Sequence, residues 1–254
     1  AVGTSEGTLT SEFKRHSISV FHAGFRSGFD FSPNRISHLT RHLANFSIIH
    51  CHSFFLPGAT ALIKANRPIV YTEHGNFRSG KRVSLKDATK AYLFSGFCRH
   101  YVSAVTFNSE YTYSLWQHNL PHNRVSRIII PNGVRLVTPN RSAATDSEPI
   151  ARTNSSKAGT IGVVARLASV KRIDRLISVL PQLVAVRDVQ LVIVGDGPER
   201  LPLESLATKL GIRQNVTFVG AVSNPVPYYR GMDVTVLPSQ SESFGLAAVE
   251  ALAL

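Results

Sequence analysis

Only two cysteines occur among the 254 residues, Cys51 and Cys98. A disulfide framework needs more, and a structural zinc site takes ligands in tight groups, so neither organises this chain. A reducing cytoplasm is the plain compartment for such a sequence. Charged residues are scarce too, at 17%, against roughly a quarter in ordinary globular domains. No apolar run approaches the roughly 18 residues of a membrane span. No charged-then-apolar leader pattern follows Ala1 either. Apolar residues make up 43%, with 17 glycines and 13 prolines. That balance excludes disorder, collagen and coiled coil as descriptions of the whole chain. The length suits one large domain or two small ones.

Acidic side chains are the rarer sign, 16 against 28 basic ones, for a net charge of +12. The imbalance is local. Residues 1–140 carry 16 basic and 6 acidic side chains, net +10, whereas 141–254 carry 12 and 10, net +2. All ten histidines also fall in the first stretch. A basic half attracts an anion: nucleic acid, a phospholipid surface or an acidic glycan. Nucleic acid has the least support, because no interleaved aromatic-basic motif, helix-turn-helix or zinc pattern accompanies the charge. Arg78, Lys81, Arg82, Lys86 and Lys90 form a basic run, with Arg82, Lys86 and Lys90 on one helical face. That run is a solvated face, or a patch for an anionic membrane or an acidic acceptor.

The pattern divides the chain. Arg135–Ala158 is rich in Ser, Thr, Asn, Ala and Pro without an apolar period, and reads as a linker. Before it, apolar runs at Ser17–Ala23, Ser47–His52, Pro68–His74, Ala104–Asn108 and Val125–Ile130 alternate with helical patterns. Those helices are Ser32–Phe46, one following His52, and one over about Leu85–Tyr101. After it, strands are expected at Thr160–Ala165, Gln190–Gly195, Asn215–Gly220 and Asp233–Pro238, with a final helix over Phe244–Leu254. Ile173, Leu176, Ile177, Leu180 and Val184 make one helical stripe between the first two. Continuous apolar strands separated by helices predict βαβ units and parallel sheets covered on both faces. The expected domains are therefore 1–134 and 159–254, joined by 135–158.

In doubly wound sheets ligands bind beyond the carboxyl ends of the strands, so the loops there hold the candidate chemistry. The richest is Pro238–Glu250, PSQSESFGLAAVE. Its free helix N–H groups can face an anion. Glu242 can address a hydroxyl or a cationic centre, and Glu250 can hold a vicinal diol. The bland alternative is a capped helix with Glu242 near the favourable dipole end and Glu250 solvated. Arg166 and Lys171, after the expected strand at Thr160–Ala165, can clamp a diphosphate or be ordinary loop cations. Gly195-Asp196-Gly197 lacks the third glycine of a dinucleotide fingerprint, since Arg200 stands there, and reads as a turn. His50-Cys51-His52 lacks a fourth metal ligand. On a strand its histidines share one face and Cys51 points away. His52 is a candidate to line a cleft. Asn132-Gly133 reads as a turn after Ile130.

The stretches GVVARLASVKRIDRLI, LVIVGDGPER, VTFVGAV and VLPSQSESFGLAAVEALAL, in that order, resemble the nucleotide-sugar half of family-4 retaining glycosyltransferases of the GT-B fold. IIHCHS, PIVYTEHGN, AVTFNSEYT and IIIPNGV resemble the acceptor-side domain of the same family. The resemblance runs from about residue 17 to 254, excepting the linker. It implies an α/β, GT-B-like chain of two doubly wound Rossmann-type domains facing a cleft. The opening AVGTSEGTLTSEFKR lacks the family's first strand and glycine-rich loop, and the second domain is expected to be incomplete at Leu254.

For the residues, the resemblance implies that Arg166 and Lys171 neutralise the donor's diphosphate and that the amides of Gly245 and Leu246 touch phosphate. Glu250 takes the ribose hydroxyls, with Gly220 beside the nucleobase. Glu242 and His74 reach the donor sugar as the catalytic pair. The sequence contains no Asp-x-Asp, so no metal is expected and the two cations with the helix end must neutralise the leaving group. The implied function is retaining transfer from a nucleotide-diphosphate sugar to a glycan or lipid-linked acceptor, as in cell-surface polysaccharide synthesis. The enzyme is expected in the cytoplasm, free or peripheral to the inner face of the membrane. A truncated remnant, or a nucleotide-sugar-binding piece without turnover, is the alternative.

Overall fold

A computed structural model of the chain describes residues 2–3, 10–75, 85–116, 125–134 and 159–254. It resolves into two compact units, Ala1–Pro131 and Asn132–Leu254. That division falls just ahead of the boundary expected at residue 134; the expected linker 135–158 lies outside the described residues.

The first unit runs β1 (Val2–Gly3), α1 (Thr10–Arg15), β2 (Phe21–His22), α2 (Pro33–Leu43), β3 (Ile49–Cys51), α3 (Leu56–Ala65), β4 (Ile69–Glu73), α4 (Leu85–Tyr101), β5 (Ala104–Phe107), α5 (Glu110–Trp116) and β6 (Ser126–Ile129). Strands β3, β4, β5 and β6 lie side by side in that order, all parallel. Both faces are covered, as a parallel sheet requires. On one side Ile36, Leu39 and Leu43 of α2 and Ala61 and Ala65 of α3 pack with Ile49. On the other, Phe94 of α4 meets Tyr71 at 4.7 Å and Trp116 at 5.1 Å between ring centres. Proline at the first turn of α2 and Asn66 in the left-handed region after α3 start and stop those helices. The opening also carries a short pairing of its own, apart from the four-stranded sheet. The opening reads as lacking a first strand, yet Val2–Gly3 pairs in parallel with Phe21–His22. Two residues are too few to register as a pattern. Residues 4–9, the place for a glycine-rich loop, lie outside the described residues.

The second unit runs β7 (Gly159–Val164), a 3-10 turn (Ser169–Lys171), α6 (Ile173–Val184), β8 (Val189–Val194), α7 (Arg200–Lys209), β9 (Val216–Gly220), α8 (Val226–Gly231), β10 (Val234–Thr235) and α9 (Leu246–Leu252). Its parallel strands stand in the order β10-β7-β8-β9. β8 is buried along nearly its whole length because it is the sequence's most continuous aliphatic run. Ile173, Leu176, Ile177 and Leu180 form the buried stripe of α6. The chain moves from β7 outward to β8 and β9, then returns to the other side of β7 as β10. The connection out of β7 runs to β8 on one side while β10 lies on its other side, so the strand order reverses at β7 and a crevice opens at the carboxyl ends of β7 and β10.

Candidate active site

A pocket of about 280 Å³ occupies that crevice in the second unit. Val163, Val164, Ala165 and Lys171 contribute one wall, from the end of β7 and the turn after it. Leu237 through Ser239 and Glu242 through Ala247 contribute the other, from the loop after β10 and the start of α9. Glu250 closes the lining from one helical turn further on, and Asn132 adds an amide. A backbone bond from the Gln240 N–H to the Val170 carbonyl, at 2.9 Å, ties the two walls together.

The walls meet at one carboxylate oxygen. Lys171 Nζ donates to Glu242 Oε1 at 2.6 Å, and Ser239 Oγ donates to the same oxygen at 2.6 Å. Both members of the ion pair keep about a quarter of their side-chain exposure, 25% and 28%. Such a partly solvated pair contributes about 0.2–1 kcal/mol to stability, so its tightness is better read as positioning. Arg172, just after Lys171, takes the left-handed conformation at φ 49° and holds Asp174 through its guanidinium. That reversal ends the 3-10 turn and begins α6. The Arg172 guanidinium beside Asp174 holds the Asp174 carboxyl below its ordinary pKa.

The first of these walls depends on two glycines behind it. The Ala165 N–H bonds the Val194 carbonyl and the Leu167 N–H bonds the Asp196 carbonyl, both at 3.0 Å. A methyl group at Gly195, whose φ is +130°, would lie 1.9 Å from the Ala165 carbonyl oxygen, and one at Gly197 2.4 Å from that of Leu167. Gly195-Asp196-Gly197 is thus a turn, and its glycines let the loop behind the pocket wall close onto β8.

Of the expected donor-binding residues, Lys171, Glu242, Gly245, Leu246 and Glu250 line this one pocket. Gly245, at φ 77°, precedes α9, so the helix begins at Leu246 rather than at Phe244. Glu250 is not simply solvated: the Tyr229 hydroxyl donates to its Oε2 at 2.9 Å. Arg166 is exposed and is not among the lining residues. Its neighbour Leu167 is wholly buried, and the backbone on either side of Arg166 is bonded to Val194 and Asp196. Gly220 also stands away from the lining, at the end of β9 and two strands from β7. Its φ is 92°, and a methyl there would meet the Arg200 guanidinium at 3.3 Å. Sequence reasoning does not single out Ser239, Tyr229 or Asn132 for a role in the site. Ser239 belongs to a loop that does stand out, whereas nothing in a single sequence joins Tyr229 to a glutamate 21 positions later.

In the first unit, His74 follows β4 and His52 follows β3, so neighbouring strand ends bring them together. His52 Nδ1 and His74 Nε2 are 2.8 Å apart. His50 Nε2 meets Thr72 Oγ1 at 2.6 Å, and Thr72 meets Thr106 at 2.6 Å. His50 and His52 are exposed while Cys51 packs inward, as strand alternation requires. Among the described residues, no three of His, Cys, Asp and Glu are gathered as a metal would need. Burial, with His50 and His74 nearby, pulls the His52 pKa below its ordinary value. Arg78, Lys81 and Arg82 lie outside the described residues, and Lys86 and Lys90 fall on α4 with their side chains outside the described set. Among the described residues, no helix is long and apolar enough to cross a membrane.

Two parallel doubly wound units, the second with a charged pocket at its strand-order reversal, define an architecture of the GT-B class. HepE of Anabaena, solved with UDP and glucose, superposes with a TM-score of 0.79 at 19% identity, over 99% of this chain and 70% of that one. TarM superposes at 0.64 with 18% identity, over 86% of this chain and 43% of that one. Residues 3–138 match Glycosyltransferase Family 4, and residues 146–254 match Glycosyl transferases group 1. The chain belongs to the family-4, group 1 glycosyltransferases. It is 30% identical over 204 residues to an uncharacterised glycosyltransferase of Haemophilus influenzae, covering 79% of this chain and 52% of that protein. It is 30% identical over 216 residues to the putative glycosyltransferase EpsF of Bacillus subtilis, covering 82% and 55%. Alpha-monoglucosyldiacylglycerol synthase of Streptococcus pneumoniae is 28% identical, covering 81% and 49%. The chain thus spans about half the length of these curated relatives.

Proposed function

We propose that the protein transfers a sugar from a nucleotide-diphosphate donor to a glycan or lipid-linked acceptor, with retention and without a metal. The observation that carries this reading is the convergence of Lys171, Glu242 and Glu250 on one pocket. They come from two distant stretches of the chain, the turn after β7 and the loop and helix after β10, and are the residue types the donor needs. Breaking the anomeric C–O bond leaves negative charge on the diphosphate and positive charge at the sugar carbon. Lys171 and the Gly245 and Leu246 amides meet the first; the Glu242 carboxylate meets the second; Glu250 holds the ribose. A diphosphate entering the pocket competes with Glu242 for Lys171. Ser239, already bonded to Oε1, keeps the carboxylate in place as that cation turns to phosphate. His74 is the expected first-unit partner of the donor sugar. Arg166, exposed beside the pocket, would add its charge only if its side chain swings inward. A cytoplasmic site of action suits a nucleotide-sugar donor, and membrane contact through the basic run belongs to the same proposal.

The test is a thermal-shift and turnover panel of nucleoside diphosphates and nucleotide sugars. A ligand that binds only the folded state raises the melting temperature. Lys171→Met and Glu242→Gln should each lower turnover by about 10²–10³-fold, with melting temperature moved by no more than about 2–4 °C. Full turnover in both variants would remove the assigned roles; an unresponsive wild-type protein would remove the donor reading itself.

A further inference from the structure

Tyr229 sits on α8, a short helix between β9 and β10, and is only 5% exposed. It is not among the residues lining the pocket, yet its hydroxyl reaches Glu250 Oε2 at 2.9 Å from behind. A buried phenol needs a partner, and this one has found a carboxylate on the pocket wall. Burial and the Glu250 carboxylate push the phenol's pKa upward, so it stays a hydrogen-bond donor across the working range. Glu250 has a long, rotatable side chain and is only partly buried. Without an anchor its carboxylate would sample several orientations, and a diol held by two hydrogen bonds tolerates few of them.

We propose that Tyr229 is a positioning residue for the donor's ribose: its hydroxyl fixes Oε2 of Glu250 and leaves Oε1, with the remaining lone pair of Oε2, for the vicinal hydroxyls. The proposal rests on the reading of Glu250 given above and deepens it. Two consequences separate it from a merely structural tyrosine. The effect of losing the hydroxyl must depend on whether the ligand carries the ribose 2′-hydroxyl. It must also vanish when Glu250 is no longer a carboxylate.

The experiment measures Kd by titration for UDP, GDP and ADP, and for their 2′-deoxy counterparts, on wild type, Tyr229→Phe, Glu250→Gln and the double variant. The pair used is the one whose ribonucleotide binds wild type most tightly. Tyr229→Phe should weaken the ribonucleotide by about 3–10-fold, the net range of one ordinary hydrogen bond, because the lost bond acts on the ligand only through Glu250. The 2′-deoxy form should change by less than about twofold, so discrimination between the two collapses. In the Glu250→Gln background the same change should have no further effect on discrimination, which closes the cycle. Since Tyr229→Phe retains the ring, the melting temperature should fall by only a few degrees. If that variant unfolds, Tyr229→Met supplies the same comparison. Discrimination kept in Tyr229→Phe but lost in Glu250→Gln overturns the positioning role alone. Discrimination absent in wild type, or unaffected by Glu250→Gln, overturns the ribose reading and the proposal with it.

Discussion

A histidine hydrogen-bonded to another histidine can be protonated on only one of the pair without repulsion. His52 has His74 at 2.8 Å and the His50 ring at 4.2 Å, and its pKa lies below the ordinary value through burial first and its two neighbours second. The unfolded chain therefore takes this proton more readily than the folded one. Stability is retained above about pH 6.5, the unperturbed value, and declines as pH falls from there toward the lowered folded value. His42, stacked on Phe21 at 3.9 Å, is shifted the same way by burial. Melting curves between about pH 7.5 and 5 should show this acid loss, and His52→Gln should make it shallower. Superimposable pH profiles of wild type and His52→Gln would remove His52 from the account. The same scale holds the difference between Lys171 and Arg166: both are cations after β7, but Lys171 is part-buried on Glu242 at the pocket wall while Arg166 is exposed. Five residues of separation in sequence do not reveal which.

Among the elements, the loop after β8 sets the wall behind the site. Gly195 has both a φ that side chains rarely adopt and a backbone oxygen where a methyl would go. Gly195→Ala should therefore lower stability by about 3 kcal/mol or more, combining overpacking and backbone strain. That corresponds to roughly 6–12 °C in melting temperature for a chain of this size. It should also weaken nucleotide binding, because Ala165 on the pocket wall must move. A melt within about 2 °C of wild type would show that the wall yields cheaply. Elements differ in how far the sequence discloses them. Val189–Val194 and the Ile173–Leu180 stripe are legible because burial on two faces, or on one helical face, writes itself as a run or a period. Glu110–Trp116 and Val226–Gly231 do not stand out, because short helices rich in Tyr, or broken by Ser, Thr and Pro, have no periodic signal. Their stability comes from tertiary packing: Trp116 against Phe94, and Tyr229 against Glu250.

At the scale of the whole molecule, charge and chemistry are divided between the units. The strongly basic stretch 1–140 has all the histidines, while the nearly neutral remainder holds most of the pocket beside β7 and β10. Nucleotide binding should accordingly register in the second unit. With a nucleoside diphosphate at about a hundredfold its Kd, the stabilisation is about 2.7 kcal/mol. Hydrogen exchange should slow in residues 163–171 and 237–250 and stay unchanged around His50, His52 and His74. Protection confined to the first unit would place the nucleotide elsewhere. The sequence by itself determined that two parallel α/β units form, and which loops carry Lys171, Glu242 and Glu250. Hydrophobic run length, helical period and the strand-end rule are local quantities, readable along a chain. Only the tertiary structure decided that Lys171 and Ser239 share one oxygen of Glu242 and that Tyr229 grips Glu250. Those outcomes follow from β10 returning beside β7, a long-range pairing whose consequences no neighbouring residue records.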